Sequence, residues 1–112
     1  MIWSEKVYLG ADAKKHYKRI KWKVMHNVTQ IDIFLLILPL KYGQHLQLVH
    51  SIELRQKEWP KEDICVVGIA SSKLEGLELI EQITSEMYQK IGVIDYYKFF
   101  GIKNPKIHRG KE

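Results

Sequence analysis

Two short apolar runs, residues 31–38 and 64–70, constrain the fold of this chain more than any other feature. Both are rich in β-branched residues or leucine and have almost no polar interruption, which is typical of strands covered on both faces. Segments with helical periodicity alternate with these runs along the chain. The sequence therefore predicts a small layered α/β domain, in which three helices flank a largely parallel sheet of two or three strands.

The segment of residues 44–57 leaves one alternative open. As a helix it has a broad and irregular apolar face. As a strand it alternates cleanly, at Leu46, Leu48, Ile52 and Leu54. The strand would change the fold to α+β, with an antiparallel hairpin across residues 31–54 that turns at residues 41–43. We prefer the helix because of a resemblance described below.

Residues 12–28 predict the first helix and carry an unusual surface pattern. At 100° per residue, one narrow sector collects the apolar side chains Ala13, Tyr17, Ile20, Val24 and Val28. Asp12 is the expected N-cap. The remaining surface is basic and holds Trp22 opposite the apolar stripe, where core packing gives a tryptophan no role. The candidate contact residues of this segment are Lys14, Lys15, Lys18, Arg19, Trp22 and Lys23.

A second helix is predicted between the candidate caps Ser71–Ser72 and Gly92. Its predicted apolar face contains Leu77, Ile80, Ile83, Thr84, Met87, Tyr88 and Ile91. Its opposite face is rich in Glu and Gln, which makes this the strongest amphipathic pattern in the chain. The aromatic residues 93–101 that follow are expected to pack back on the core.

One domain, residues 1–102, is the natural organisation of a 112-residue chain, and residues 103–112 are expected to form a basic, flexible tail. The single cysteine, Cys65, excludes an internal disulfide and lies in an apolar run, which favours a buried thiol and a reducing compartment. The first residues contain no apolar leader, and the longest apolar run is about half a membrane span. We therefore expect a cytoplasmic protein without a membrane partner.

The net charge of +5 is unevenly distributed along the chain. Residues 1–60 contain ten Lys or Arg against five Asp or Glu, residues 61–95 contain three against seven, and residues 96–112 contain five against one. This asymmetry favours an acidic partner such as nucleic acid, or contact between oppositely charged copies. The other explanation is a solvated surface on which charges happen to cluster.

The sequence contains none of the common catalytic or ligand-binding motifs. The turn after residues 66–70 has one glycine and matches no phosphate-binding loop, so Ser71 and Ser72 are interpreted as helix caps. Asp32 interrupts an apolar run, and its best interpretation is a strand-end residue facing solvent. The histidines lack metal-ligand spacing: His16, His26, His45, His50 and His108. We therefore predict no enzyme activity, metal, cofactor or small-molecule ligand.

Two stretches give the chain a resemblance to other proteins. Trp22-Lys23-Val24-Met25-His26-Asn27, and residues 66–70 leading into the Glu- and Leu-rich helix, resemble a group of small proteins of anaerobic Gram-positive bacteria, often encoded in or near mobile genetic elements. The similarity spans residues 4–100 and implies a helix at residues 44–57, where the relatives are more clearly helical. No activity is attached to the group, so the resemblance implies an architecture and leaves the function open.

These observations favour an interaction protein. We expect self-association, as a homodimer, or binding to a protein partner, with uncovered sheet edges, Trp22 and the C-terminal aromatic residues as contacts. The alternative is a nucleic-acid-binding accessory factor of a mobile element. It would use the basic helix of residues 12–28, whose Lys and Arg would neutralise phosphates while Trp22 stacks on bases.

Overall fold

The structure is a computed structural model that describes residues 1–41, 44–56 and 58–102. Within these residues one sheet contains the strands β1 (Ile2–Leu9), β2 (Phe34–Ile37), β3 (Gln47–His50) and β4 (Cys65–Ala70). The helices are α1 (Ala11–Lys15), α2 (Tyr17–Met25), α3 (Lys73–Ile91) and α4 (Tyr96–Phe100). Two 3-10 turns, Glu53–Arg55 and Lys61–Asp63, lie between β3 and β4. The predicted α/β class is confirmed.

The sheet has the order β1-β4-β2-β3 and is mostly antiparallel. β1 and β4 are parallel, whereas β4 pairs antiparallel with β2, and β2 antiparallel with β3. The prediction of a largely parallel sheet of two or three strands is therefore wrong. Two consecutive strands that pair in parallel need a crossover of about a dozen residues or more between them. The connection from β2 to β3 is shorter and forms a hairpin, so these two strands are antiparallel.

The helix predicted for residues 44–57 is also wrong, and the antiparallel hairpin considered as the alternative is present. β3 occupies the middle of this segment, and a 3-10 turn follows it. Leu46, Val49 and Leu54 are buried, whereas Leu48 is half-buried and Ile52 is exposed. Leu46 and Leu48 pack in the core on one face of the sheet and Val49 packs in the core on the other, which is the alternation of a strand. Residues 42, 43 and 57 of the predicted turn and segment lie outside the described residues.

The sheet is covered on both faces, as the two apolar runs predict. On one face, α3 and α4 enclose a core with Tyr8 of β1 and Leu36 of β2. On the other face, α1 and α2 enclose a core with Leu35 and Val66. All six residues of the central strand β4 are buried, including Cys65. Only a glycine fits at Gly68 without rearrangement, because an added Cβ would lie 2.6 Å from Cδ1 of Leu36.

The helix predicted for residues 12–28 is shorter and divided. α1 has Gly10 as its N-cap instead of Asp12. It ends at His16, whose N–H donates to the carbonyl of Ala13, three residues earlier (3.2 Å). α2 ends in a Schellman motif, in which Asn27 takes the left-handed conformation (φ 56°) and Val28 N–H donates to Lys23 O (2.9 Å). Val28 therefore lies beyond the helix and is exposed.

The caps predicted for the long helix α3 are confirmed. The Ser72 hydroxyl accepts from the Glu75 N–H at 3.1 Å, and Gly92 ends the helix with a positive φ of 72°. The aromatic residues that follow pack on the core as expected, and the Tyr97 hydroxyl donates to the Pro39 carbonyl at 2.9 Å. The predicted tail of residues 103–112 lies outside the described residues. In the described part of the chain, no helix is both long and apolar enough to cross a membrane.

Candidate interaction surface

α2 divides into a core-facing side and a solvent-facing side. Ile20 is buried, while Tyr17 and Val24 are half-buried against the same core. The opposite side, together with the end of α1, forms what we call the basic outer face. It consists of exposed residues spaced three and four apart: Lys15, Lys18, Arg19, Trp22, Met25 and His26.

Trp22 is the largest apolar side chain on the basic outer face, and 56% of its surface is exposed. The His26 imidazole stacks on the indole, with ring centroids 4.0 Å apart and planes inclined by 19°. His26 Nδ1 lies 2.8 Å from the Trp22 carbonyl oxygen, so it donates a hydrogen bond and holds this stack in place. The indole is therefore preorganised at the surface, which lowers the conformational entropy lost when a partner binds it.

The predicted contact residues lie in two places on the surface. A shallow depression of about 510 Å³ is lined by Lys14, Lys15, His16, Tyr17, Lys18 and Arg19, at the junction of α1 and α2. Trp22 lies one helical turn beyond Lys18. Lys23 is half-buried on the flank of α2. Lys21, which was not among the predicted residues, places its ammonium over the rings of Trp3 (5.2 Å) and Tyr17 (6.0 Å).

No acidic residue occurs between Ala13 and Ile31. Within the described residues, no ion pair joins the cations of this segment to a carboxylate; the described ion pair joins Lys6 to Glu86. Lys18 and Lys21 are three apart in α2, and like-charged neighbours at such spacing each cost a helix roughly 0.2–0.5 kcal/mol. The charge layout therefore disfavours the isolated helix and suits an acidic partner surface.

A second surface, which the sequence analysis missed, lies on α3. The helix buries Gly76, Leu79, Ile83 and Met87, so the prediction that Leu77 and Tyr88 belong to the core face is wrong. Gly76 is the reason, because its lack of a side chain lets α3 approach Leu48 of β3; a Cβ there would lie 2.5 Å from Leu48 Cδ1. A helical wheel that puts Gly76 in the buried stripe, and does not follow the mean direction of the apolar side chains, predicts this orientation of α3 on the sheet.

We call this second surface the acidic outer face. Its three large apolar side chains are exposed, with 69% of Leu74, 57% of Leu77 and 61% of Tyr88 accessible. Glu78 and Glu81 lie among them, and both line a shallow surface depression. The full face is Leu74, Leu77, Glu78, Glu81, Ser85 and Tyr88.

The start of α3 provides no free anion site. Glu75 Oε1 accepts hydrogen bonds from the Ser71 N–H (2.8 Å) and the Ser71 hydroxyl (3.2 Å), while Ser72 caps the Glu75 N–H. The carboxylate thus occupies the position that a phosphate would need. Gly10 packs directly against this carboxylate, because a Cβ on Gly10 would lie 1.8 Å from Glu75 Oε1.

A polar cluster joins β1 to α3. The Tyr8 hydroxyl donates to Glu86 Oε1 at 2.6 Å, and Gln82 donates to Glu86 Oε2 at 2.9 Å. Burial, and then the hydrogen bond with Glu86, raise the pKa of Tyr8 far above its ordinary value, while the bond from Tyr8 lowers the pKa of Glu86. A phenol with a raised pKa stays protonated near neutral pH. The cluster is therefore better suited to joining β1 to α3 than to acid–base catalysis.

The other candidate groups lack the surroundings that chemistry requires. Burial raises the pKa of the Cys65 thiol, which makes this sulfur a poor nucleophile. Asp32 is exposed in a turn. Among residues 1–41, 44–56 and 58–102, no three His, Cys, Asp or Glu side chains are grouped to hold a metal ion. Of the five histidines that the sequence analysis considered as metal ligands, His108 lies outside the described residues.

The C-terminal aromatic residues, expected as partner contacts, are turned toward the core. Tyr96 and Tyr97 are buried, and Phe99 and Phe100 are half-buried against the same cluster. They are therefore unavailable as large exposed anchors, so Trp22 and the edge strands β1 and β3 are the contacts that remain from that prediction. Comparison with protein-family models, curated proteins and solved structures found no match to this chain.

Proposed function

We propose that this protein is a binding module that associates with a protein partner, its own copies included, through the basic outer face. The observation that carries the proposal is that 56% of Trp22 is exposed, although the opposite side of α2 packs in the core through Ile20. Tryptophan and arginine are the residues most enriched among those that dominate binding energy at interfaces. Arg19 and Trp22 are three apart on this face, within one helical turn.

The apolar area at the end of α2 extends beyond the tryptophan. Met25 is exposed on the same side, and Val28 and Ile31 are exposed in the chain that follows. Burying the free half of an indole alone is worth roughly 3 kcal/mol at 25 cal/mol per Å². That amount is enough to make Trp22 a dominant contact when the surrounding residues exclude water. In this proposal the module is cytoplasmic and has no catalytic activity.

Light scattering on purified Trp22→Ala tests the proposal. The variant is expected to shift the weight-average mass of the protein toward that of the monomer, because the anchor is lost. Met25→Ala is a milder change at the next turn, and Ile94→Ala, also exposed but on the chain before α4, is the matched control. An unchanged mass in Trp22→Ala would contradict the role of the tryptophan.

Nucleic-acid binding is the second candidate, in which the chain is an accessory factor of a mobile element. It is favoured by the acid-free run between Ala13 and Ile31, in which Lys and Arg surround an exposed aromatic ring. With about five phosphate contacts, the affinity for duplex DNA would fall with salt at a log–log slope of roughly −4 to −5. The pair Lys18→Glu and Arg19→Glu should abolish that binding, and retained affinity would exclude this candidate.

A further inference from the structure

The basic outer face and the acidic outer face lie on opposite sides of the molecule. α2 packs on the core beneath one face of the sheet, and α3 packs on the core beneath the other. Their solvent-facing sides therefore point in opposite directions. Among residues 1–41, 44–56 and 58–102, neither face touches the other, and both are exposed.

The two faces are complementary in charge and in apolar content. The basic face has Lys15, Lys18 and Arg19 with no acidic residue among them, and the acidic face has Glu78 and Glu81. Each face also exposes large apolar side chains beside its charges, which is the composition of an interface core with a charged rim. Charge complementarity of this kind sets orientation and suppresses pairing of like faces.

The spacing of the two faces also agrees. On the basic face, Arg19 and Lys18 precede Trp22 by three and four residues within α2. On the acidic face, Glu78 follows Leu74 and Glu81 follows Leu77, each by four residues of α3. Running α2 of one copy antiparallel to α3 of the next therefore places Trp22 at Leu74 and Leu77, with Lys18 and Arg19 near Glu78 and Glu81.

We propose that the acidic outer face of one copy is the binding site for the basic outer face of a second copy, so that the protein assembles head to tail. This inference rests on the proposed function and names the partner of the same Trp22 face. Because the two faces point in opposite directions, two copies cannot satisfy both faces of both molecules. Assembly then continues beyond the dimer as an open stack or a closed ring, and a closed two-fold dimer is not expected.

Two charge-reversal variants test the inference, one for each face. The basic-face variant is Lys18→Glu with Arg19→Glu, and the acidic-face variant is Glu78→Lys with Glu81→Lys. Each is expected to weaken self-association by about tenfold or more, because like charges then meet across the contact. The matched controls carry the same charge changes elsewhere on the exposed surface: Lys41→Glu with Lys98→Glu, and Glu53→Lys with Glu58→Lys.

Mixing the two face variants gives the decisive measurement. One variant retains an intact acidic face and the other an intact basic face, and the two reversed faces are again opposite in charge. An equimolar mixture should therefore assemble at concentrations at which each variant alone is monomeric. Sedimentation velocity measures this directly, and far-UV circular dichroism verifies that both variants are folded. Wild-type protein should grow beyond the dimer as its concentration rises.

The outcomes separate the inference from the proposed function. If the basic-face variant is monomeric while the acidic-face variant still self-associates, the head-to-tail contact is overturned, and association through Trp22 stands. If the mixture stays monomeric although wild type assembles, the pairing of these two faces is overturned. If wild type is monomeric at every concentration, the inference fails, and the proposed function is then decided by binding to other proteins through Trp22. A salt-sensitive complex with duplex DNA, formed by a wild type that does not self-associate, would overturn the inference in favour of nucleic acid.

Discussion

Replacing Gly10 by alanine should destabilise the fold through Glu75, a residue in another layer of the molecule. Gly10 follows β1 and caps α1, whereas Glu75 lies in the first turn of α3. A Cβ on Gly10 would lie 1.8 Å from Glu75 Oε1 and 2.2 Å from Cδ, so the carboxylate must leave its position. Gly10 itself has φ −67°, which alanine adopts freely, so backbone strain adds nothing.

The cost follows from the bonds that the carboxylate would lose. Glu75 Oε1 accepts from the Ser71 N–H and the Ser71 hydroxyl, and together with Ser72 it completes the cap of α3. Losing a helix cap costs about 0.5–2 kcal/mol. Alanine is a poorer N-cap than glycine, but it lowers the entropy of the unfolded chain, and these two effects roughly offset. Gly10→Ala should therefore reduce the free energy of unfolding by about 1–2 kcal/mol.

A double-mutant cycle with Glu75→Ala measures this contact. Glu75→Ala removes the same hydrogen bonds and the obstacle as well, so Gly10→Ala in that background should change stability by less than about 0.5 kcal/mol. Urea unfolding followed by circular dichroism gives all four values. Additive effects of the two substitutions would refute the reasoning, since they would mean that the carboxylate does not occupy the position beside Gly10.

Three further predictions concern the core, the pH dependence and the interaction surface. Met87→Ala in the buried stripe of α3 should cost about 2–5 kcal/mol in urea unfolding, because a fully buried side chain leaves a cavity. Above pH 10.0, unfolded tyrosine ionises while Tyr8 keeps its proton, so stability falls as pH rises. Tyr8→Phe should make that fall shallower in urea unfolding, and the remainder comes from Tyr17 and Cys65, whose pKa values burial also raises. Trp22→Ala should change the monomer's stability by less than about 0.5 kcal/mol, measured by thermal unfolding at low protein concentration, and a larger loss would show a core role.

The sequence predicted the buried strand β4 well because its pattern needs no knowledge of its neighbours. The other apolar run, residues 31–38, forms a strand only at Phe34–Ile37, and 75% of Ile31 is exposed. A strand covered on both faces is apolar at every position, and β4 satisfies this at all six residues. Strand pairing is different, since the sheet order depends on contacts distant in sequence. Residues 44–57 alternate as a strand does, and β3 lies within them. The resemblance to helical relatives favoured a helix there, so the predicted composition of the sheet was wrong.

The candidate site was predicted in part for a similar reason. Trp22 and its basic neighbours were found because helical periodicity places them opposite Ile20. The acidic outer face was missed because averaging apolar residues around α3 assigned Leu77 and Tyr88 to the core. The true buried stripe contains Gly76, a residue without apolar weight, whose contact with Leu48 sets how α3 is rotated on the sheet. Packing between elements, which sequence periodicity does not contain, therefore decided which apolar side chains were left exposed.

The exposed apolar residues on the two helices lie outside the cores of the sheet. The core on each side of β4 is closed by the inner stripes of α2 and α3, and neither Trp22 nor Leu74 belongs to these clusters. Such side chains favour aggregation unless a partner covers them, and here each lies on an outer face whose exposed charges have one sign. Charges of opposite sign on opposite sides of the sheet allow these residues to meet in one orientation and keep like faces apart. The proposed head-to-tail assembly accounts for both the charges and the apolar residues, whereas solubility would need the charges alone.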